Sequence, residues 1–220
     1  MANSESTKNK ILRVSTTMFL EVGYSKTSPQ MIAKELKVST GNLTYYYHTK
    51  EHLLAVLTDL LCKYQWKMIK EEAEDGISLL LAICLELMTM AAACEESEVA
   101  KDFFVSTYQS PKCLEIIHNN DTARAKEVFA QYCPDWTDEQ FREAEILVAG
   151  IEHATLNAID KTVPLETRIS GALNTIMTIY NVPEEIRRIK IEKVLAMDYR
   201  SIGKRIFNEF KEYVEKENAF

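Results

Sequence analysis

The side chains with the most to offer chemically lie between residues 27 and 51, TSPQMIAKELKVSTGNLTYYYHTKE. Gln30 and Asn42 carry carboxamides, which can pair in bidentate fashion with N6 and N7 of adenine. Thr40 and Thr44 offer a methyl group to thymine and a hydroxyl to a phosphate. Tyr45 and Tyr46 are long, stiff and end in a hydroxyl, a shape suited to phosphate oxygens at the edge of a groove. This is the chemistry of a surface that reads duplex DNA, where phosphate contacts set register and base contacts set sequence. It requires a short helix that presents these groups together.

The local signals supply one. Ser28 followed by Pro29 is a helix start, a serine cap and then a proline at the first helical position, where its missing N–H costs nothing. Met31, Ile32, Ala33 and Leu36 form a short apolar face, with Lys34, Glu35 and Lys37 outward. The pattern breaks at Lys37-Val38-Ser39, and a second helix begins on Ser39 or Thr40, turning Gly41 and Leu43 inward and leaving Thr40, Asn42, Thr44 and Tyr45 free. Two helices on so short a connection are the helix-turn-helix pattern, whose second helix enters the major groove. Upstream, residues 8–22 form an amphipathic helix that stops at Gly23-Tyr24, where glycine can take a left-handed cap. Downstream, Thr49 is a candidate cap for a further helix starting at Lys50-Glu51.

This layout resembles the DNA-binding domain of the TetR (tetracycline-repressor-like) family of bacterial transcription regulators. The residues that carry the resemblance are Phe19, Gly23, Tyr24, Thr27, Ser28, Ile32, Ala33, Val38, Ser39, Gly41, Leu43, Tyr45, Tyr47, Lys50, Glu51 and Leu53, roughly the first quarter of the chain. Pro29, Gln30 and Thr44 depart from the usual pattern, so no operator sequence transfers with it. The resemblance implies an all-α protein with a helix-turn-helix head at residues 1–50 and a helical effector-binding and dimerisation body at 51–220. It also implies DNA contacts from Ser28, Gln30, Thr40, Asn42, Thr44, Tyr45 and Tyr46, with Lys50 as a phosphate ligand and Tyr47 in the core.

Charge agrees with this division. Residues 1–50 hold seven basic against three acidic side chains, a formal +4, while the whole chain is −7, which leaves −11 for the remainder. Only a head that meets phosphate needs a basic surface. At 220 residues the chain can bury a sizeable core, and its few Gly and Pro with little alternation of β-branched residues place it in the all-α class. The apolar run 77–87, broken by Cys84 and Glu86, is too short for a membrane span. Five cysteines without paired spacing (62, 84, 94, 113 and 133) and an N-terminus without an apolar signal core suggest a cytoplasmic protein.

Beyond the head, periodicity predicts helices at 50–74, 77–94, 96–108, 112–118, 122–132, 137–160, 165–180, 183–197 and 199–216. By the family pattern, 137–160 and 165–180 would form a four-helix bundle in a homodimer, with Gly150 and Gly171 allowing close approach. The dimer would set two heads on operator half-sites about 34–36 Å apart. The role of 183–220 stays open. Trp66, Met88, Met90, Phe103, Phe104, Tyr108 and His118 are candidates to line a pocket for a small apolar or amphipathic effector, and equally serve as core. Effector identity, operator sequence, regulated genes and the choice between repressor and activator stay open.

Two other classes compete. Glu115 and His118 have the Glu-x-x-His spacing of helical di-iron proteins, but these need a second such pair, and His48, His52 and His153 have Tyr45, Thr49 and Gly150 three residues earlier. No cofactor-binding or metal-ligating pattern is recognisable, and no catalytic constellation, so an enzyme is not expected. A purely structural helical adaptor would leave the basic head and its tyrosine-rich helix unexplained.

Overall fold

Hydroxyl groups start most of the helices in this chain. In the computed structural model, which describes residues 6–74, 77–158 and 162–217, Ser6, Ser28, Ser39, Ser78, Ser97, Ser110 and Thr137 each accept a side-chain hydrogen bond from a backbone N–H of the following turn. Each cap satisfies one orphan donor and contributes about 1 kcal/mol. At Thr137 the cap is reciprocal: Gln140 Oε1 accepts from the Thr137 N–H at 2.9 Å.

The described residues form eleven α-helices: α1 (Thr7–Glu21), α2 (Pro29–Leu36), α3 (Thr40–Tyr46), α4 (Lys50–Glu74), α5 (Leu79–Glu96), α6 (Glu98–Gln109), α7 (Pro111–Phe129), α8 (Asp138–Leu156), α9 (Leu165–Ile179), α10 (Glu184–Leu195) and α11 (Tyr199–Glu217). A 3-10 turn at Ala130–Tyr132 follows α7, and no strand occurs among the described residues. The expected helices are present with one correction: 112–118 and 122–132 are not separate. Asn119, Asn120 and Asp121 suggest a break there, but α7 runs through it. The polar groups bond along the helix, Asn120 to the Ile116 carbonyl and Thr122 to that of His118, and Asp121 pairs with Arg124. Packing against α4 and α8 then overrides local preference.

The head is α1 to α3, closed over Ile11, Phe19, Leu20, Ile32, Leu43 and Tyr47 by Leu53, Leu54 and Leu57 from the start of α4. The body surrounds α5, whose sequence is largely apolar, with Glu86 the charged residue in its middle. Helices α4, α6, α8, α9, α10 and α11 all pack on it. The tail left open by sequence thus forms part of the body: α11 seals α5 with Phe207, Phe210 and Val214. Phe210 extends an aromatic series with Tyr64 (5.4 Å between centroids) and Phe103 (6.0 Å).

Close approach of α11 to α5 depends on Gly203, where a Cβ would stand 2.6 Å from the Thr89 carbonyl oxygen. Gly203→Ala is expected to destabilise the fold by about 1–3 kcal/mol, because one helix backbone must move off another. A lowered denaturation midpoint in urea checks this.

Candidate functional site

Helix α3 is a seven-residue helix with one buried side chain, Leu43. The connection from α2 is made by Lys37 at φ 55°, a left-handed residue whose N–H bonds back into α2, after which Ser39 caps α3. With Leu43 and the following Tyr47 buried, Thr40, Asn42, Thr44, Tyr45 and Tyr46 face outward, Tyr45 76% exposed. The Tyr45 and Tyr46 rings meet edge to face at 5.1 Å, which stiffens the pair. Gln30 is exposed in the first turn of α2, while Ser28 accepts from Met31 N–H as its cap. Lys8, Lys10, Lys26, Lys34 and Lys37 are all exposed on the head.

Lys50 is placed differently from the expectation. Its Nζ donates to the carbonyls of Tyr24 (2.8 Å) and Thr27 (3.0 Å) and sits 3.9 Å from the centre of the Tyr24 ring. Burial lowers its pKa, with Asp102 opposing. Lys50 therefore ties the α1–α2 turn to α4. The same turn touches the body: Ser25 N–H donates to Asp102 Oδ2 of α6 at 2.8 Å. Gly23 makes room for that carboxylate, having φ 107° and a would-be Cβ 2.9 Å from Asp102 Oδ2. Next to it, Ser110 Oγ, at the junction of α6 and α7, donates to Glu51 Oε1 at 2.5 Å.

The other end of α6 reaches a cavity of about 850 Å³, counted to its open mouth, among α4 to α9. Apolar groups such as Leu80, Ile83, Leu173 and Ile176 form much of its wall. Glu86, Asp121, Glu145 and Glu152 add four carboxylates, and Arg124 a guanidinium. Arg124 pairs with Glu86 and, at 3.1 Å, with Asp121. Burial opposes its charge, yet the two carboxylates hold its pKa above the ordinary value. Tyr180 donates to Glu145, and Tyr108 of α6 donates to Glu152 at 2.9 Å. Burial pushes the Glu145 carboxyl up to about 8, and raises Glu152 well above its ordinary range.

Of the residues expected at a pocket, Tyr108 lines this cavity and Phe104 and Met90 line a neighbouring one, Met90 bordering both. Met88 and Phe103 are fully buried core. Trp66 lies at the flank, with Lys70 and Arg124 over its ring. His118 is half-buried, its pKa lowered by burial and Arg142. The acidic wall was missed, although α8 carries a signal: Glu145 and Glu152 share the inward face with Phe141, Ala144, Val148 and Ala149. Among the described residues no group of three or more His, Cys, Asp or Glu is arranged to hold a metal, and no helix is long and apolar enough to cross a membrane.

Residues 11–57 match the model of the family described as bacterial regulatory proteins, tetR family, and the head is a domain of that family. The HTH-type transcriptional regulator QacR of Staphylococcus aureus is 39% identical over 66 residues, 30% of this chain and 35% of that regulator's length. Over 80% of this chain the fold is similar to that of Thermus thermophilus FadR, a TetR family transcriptional repressor solved with lauroyl-CoA: TM-score 0.58, 18% identity, 96% of that chain covered.

The buried carboxyls give stability a pH dependence. Glu145 has an ordinary value of 4.5 and a folded value of about 8, faced by Tyr180, Asp121, Arg124, Glu86 and Glu152. Between these values the folded chain keeps a proton that the unfolded chain has lost. This contribution is full below the lower value and is lost as pH rises through the higher one. Melting temperature should fall from about pH 5 to pH 8, and fall less in Glu145→Gln, by a difference on the order of a few °C.

Proposed function

We propose that the chain is a transcription regulator, most simply a repressor, that binds a palindromic operator as a homodimer and is released by a small-molecule effector held in its body. The observation that carries this reading is α3: a short helix pinned by Leu43 and Tyr47 that turns Asn42, Thr44, Tyr45 and Tyr46 outward, in a head of the tetR family. Asn42 and Gln30 are the base readers, Thr40 and Thr44 join them at the groove, and the tyrosine hydroxyls take phosphate. Ser28 holds α2 at the correct angle through its cap, and Lys50 braces the head through its bonds to Tyr24 and Thr27.

The dimer would use the outer face of α8 and α9. Ile146 and Leu147 are 53% and 56% exposed there, and Gly150 and Gly171 have open space around them. The broad apolar stripe of α8 thus serves two faces, with Phe141, Ala144 and Val148 turned into the body. Coupling from body to head would run through α6, which carries Tyr108 at the cavity and Asp102 at the head. The fold's likeness to a structure that holds lauroyl-CoA supports a small-molecule site in the body. An effector acts only through different affinity for the DNA-competent and DNA-incompetent states.

Affinity for DNA next to the protein's own gene should exceed that for random DNA and fall with salt, by a log–log slope of about 0.9 per phosphate neutralised. Asn42→Ala should cost about 1–3 kcal/mol on the preferred site and relax preference there. Tyr45→Phe should weaken binding on all sequences. Equal affinity for random DNA, or none of the salt dependence, would defeat the proposal. For the dimer, Leu147→Asp should sediment as a monomer and lose at least about tenfold in operator affinity.

A further inference from the structure

One edge of the DNA-reading face lacks the fixed cation that a phosphate contact calls for. Helix α3 has no charged residue, and the lysine at its exit, Lys50, directs its ammonium to the Tyr24 and Thr27 carbonyls. The exposed lysines of the head, Lys8, Lys10, Lys26, Lys34 and Lys37, all precede α3. Between Tyr46 and Leu53 the side chains that can still acquire positive charge are two imidazoles, His48 and His52.

Both rings are held at this edge. His48 is exposed, and its Nδ1 lies 3.1 Å from the Thr44 carbonyl oxygen in the last turn of α3. A carbonyl only accepts, so Nδ1 carries the proton and the neutral ring is left with a lone pair on Nε2. His52 Nδ1 is 2.8 Å from Thr49 Oγ1, which also accepts the His52 N–H at 3.3 Å as α4 begins. The two rings meet edge to face with centroids 6.0 Å apart, so they form one patch. A lone pair repels a phosphate oxygen, whereas an imidazolium donates to it and adds charge.

The carboxylates on the surrounding helices are Glu21 of α1, Glu35 of α2, Glu51 of α4 and Asp102 of α6; Ser110 takes Glu51 and Ser25 takes Asp102. The cations are those of α1 and α2, with Lys50 of α4 and Lys112 of α7. Among the described residues none of these groups bonds to either imidazole.

We propose that His48 and His52 contact operator phosphate as imidazolium, so that the head holds DNA more tightly as pH falls. The proposal rests on the DNA-binding role given above and adds to it a contact whose charge is set by protons. The complex keeps protons that the free protein loses as pH rises, so affinity declines through the imidazole range.

The test is fluorescence anisotropy of the full chain with labelled DNA from beside its own gene and with a random-sequence duplex, from pH 6 to pH 8. Affinity for both should rise at least about tenfold from pH 8 to pH 6. The log–log salt slope should steepen by about 0.9 for each imidazole that meets a phosphate. His48→Gln with His52→Gln should flatten both trends, while His118→Gln, in the body, should keep them. Circular dichroism checks that the double variant is folded. If it is not, calorimetry of the native chain with DNA at pH 7, in phosphate and in Tris buffer, reads proton uptake on binding directly. Equal affinity at pH 6 and pH 8, no proton uptake, a pH trend that survives the double substitution, or its loss in His118→Gln would overturn the proposal. DNA binding that ignores pH removes this contact and keeps the regulator role; no DNA binding at any pH removes both.

Discussion

One carboxylate sets where the head stands on the body. Asp102 of α6 accepts the Ser25 N–H, and the turn can come that close only because residue 23 is glycine. Lys50 draws the same turn onto α4 through two carbonyls, and Glu51 meets Ser110 where α6 gives way to α7. The α1–α2 turn is thus held from two helices, α6 and α4, by groups of opposite character, a carboxylate on an amide and an ammonium on carbonyls. Charge-assisted bonds of this kind are directional, so they fix orientation as well as proximity. The outward face of α3 inherits its direction from them.

The body is built on a different principle. Helix α5 is apolar over most of its surface, and most of the body's helices pack on it. Against that background the acidic wall is a departure: Glu86, Asp121, Arg124, Glu145 and Glu152 occupy space that aliphatic side chains would fill at lower cost. Their partners connect the wall outward, since Tyr108 lies on the helix that carries Asp102 six residues earlier. A change at Glu152 therefore has a rigid path of roughly 9 Å to the head, at 1.5 Å per helical residue.

Local chemistry made the head legible in the sequence. Ser28-Pro29, Ser39 and the Gly23 stop are signals of a few residues, and each takes the conformation its chemistry dictates. The bounds 50–74 for α4 follow from its cap region and its length of unbroken pattern. What escaped was set at long range. The break expected within α7 disappears because burial of Asp121 and Arg124 against other helices outweighs the turn preference of Asn119-Asn120. Trp66, Met88 and Phe103 have the right chemistry for a pocket but not the position, which only packing decides. Lys50 matched a motif, yet its ammonium found carbonyls 23 and 26 residues earlier in the chain.

The most direct measurement of this account is the distance from head to body within one chain. All five native cysteines are buried, so spin labels at Lys34→Cys and Lys193→Cys, two exposed positions, can be attached selectively. Pulsed electron resonance on labelled chains diluted with unlabelled protein should give one narrow distance distribution. In the Asp102→Asn background it should broaden and shift, with the helical content unchanged. Identical narrow distributions in the two proteins would contradict the claim that Asp102 holds the head in place.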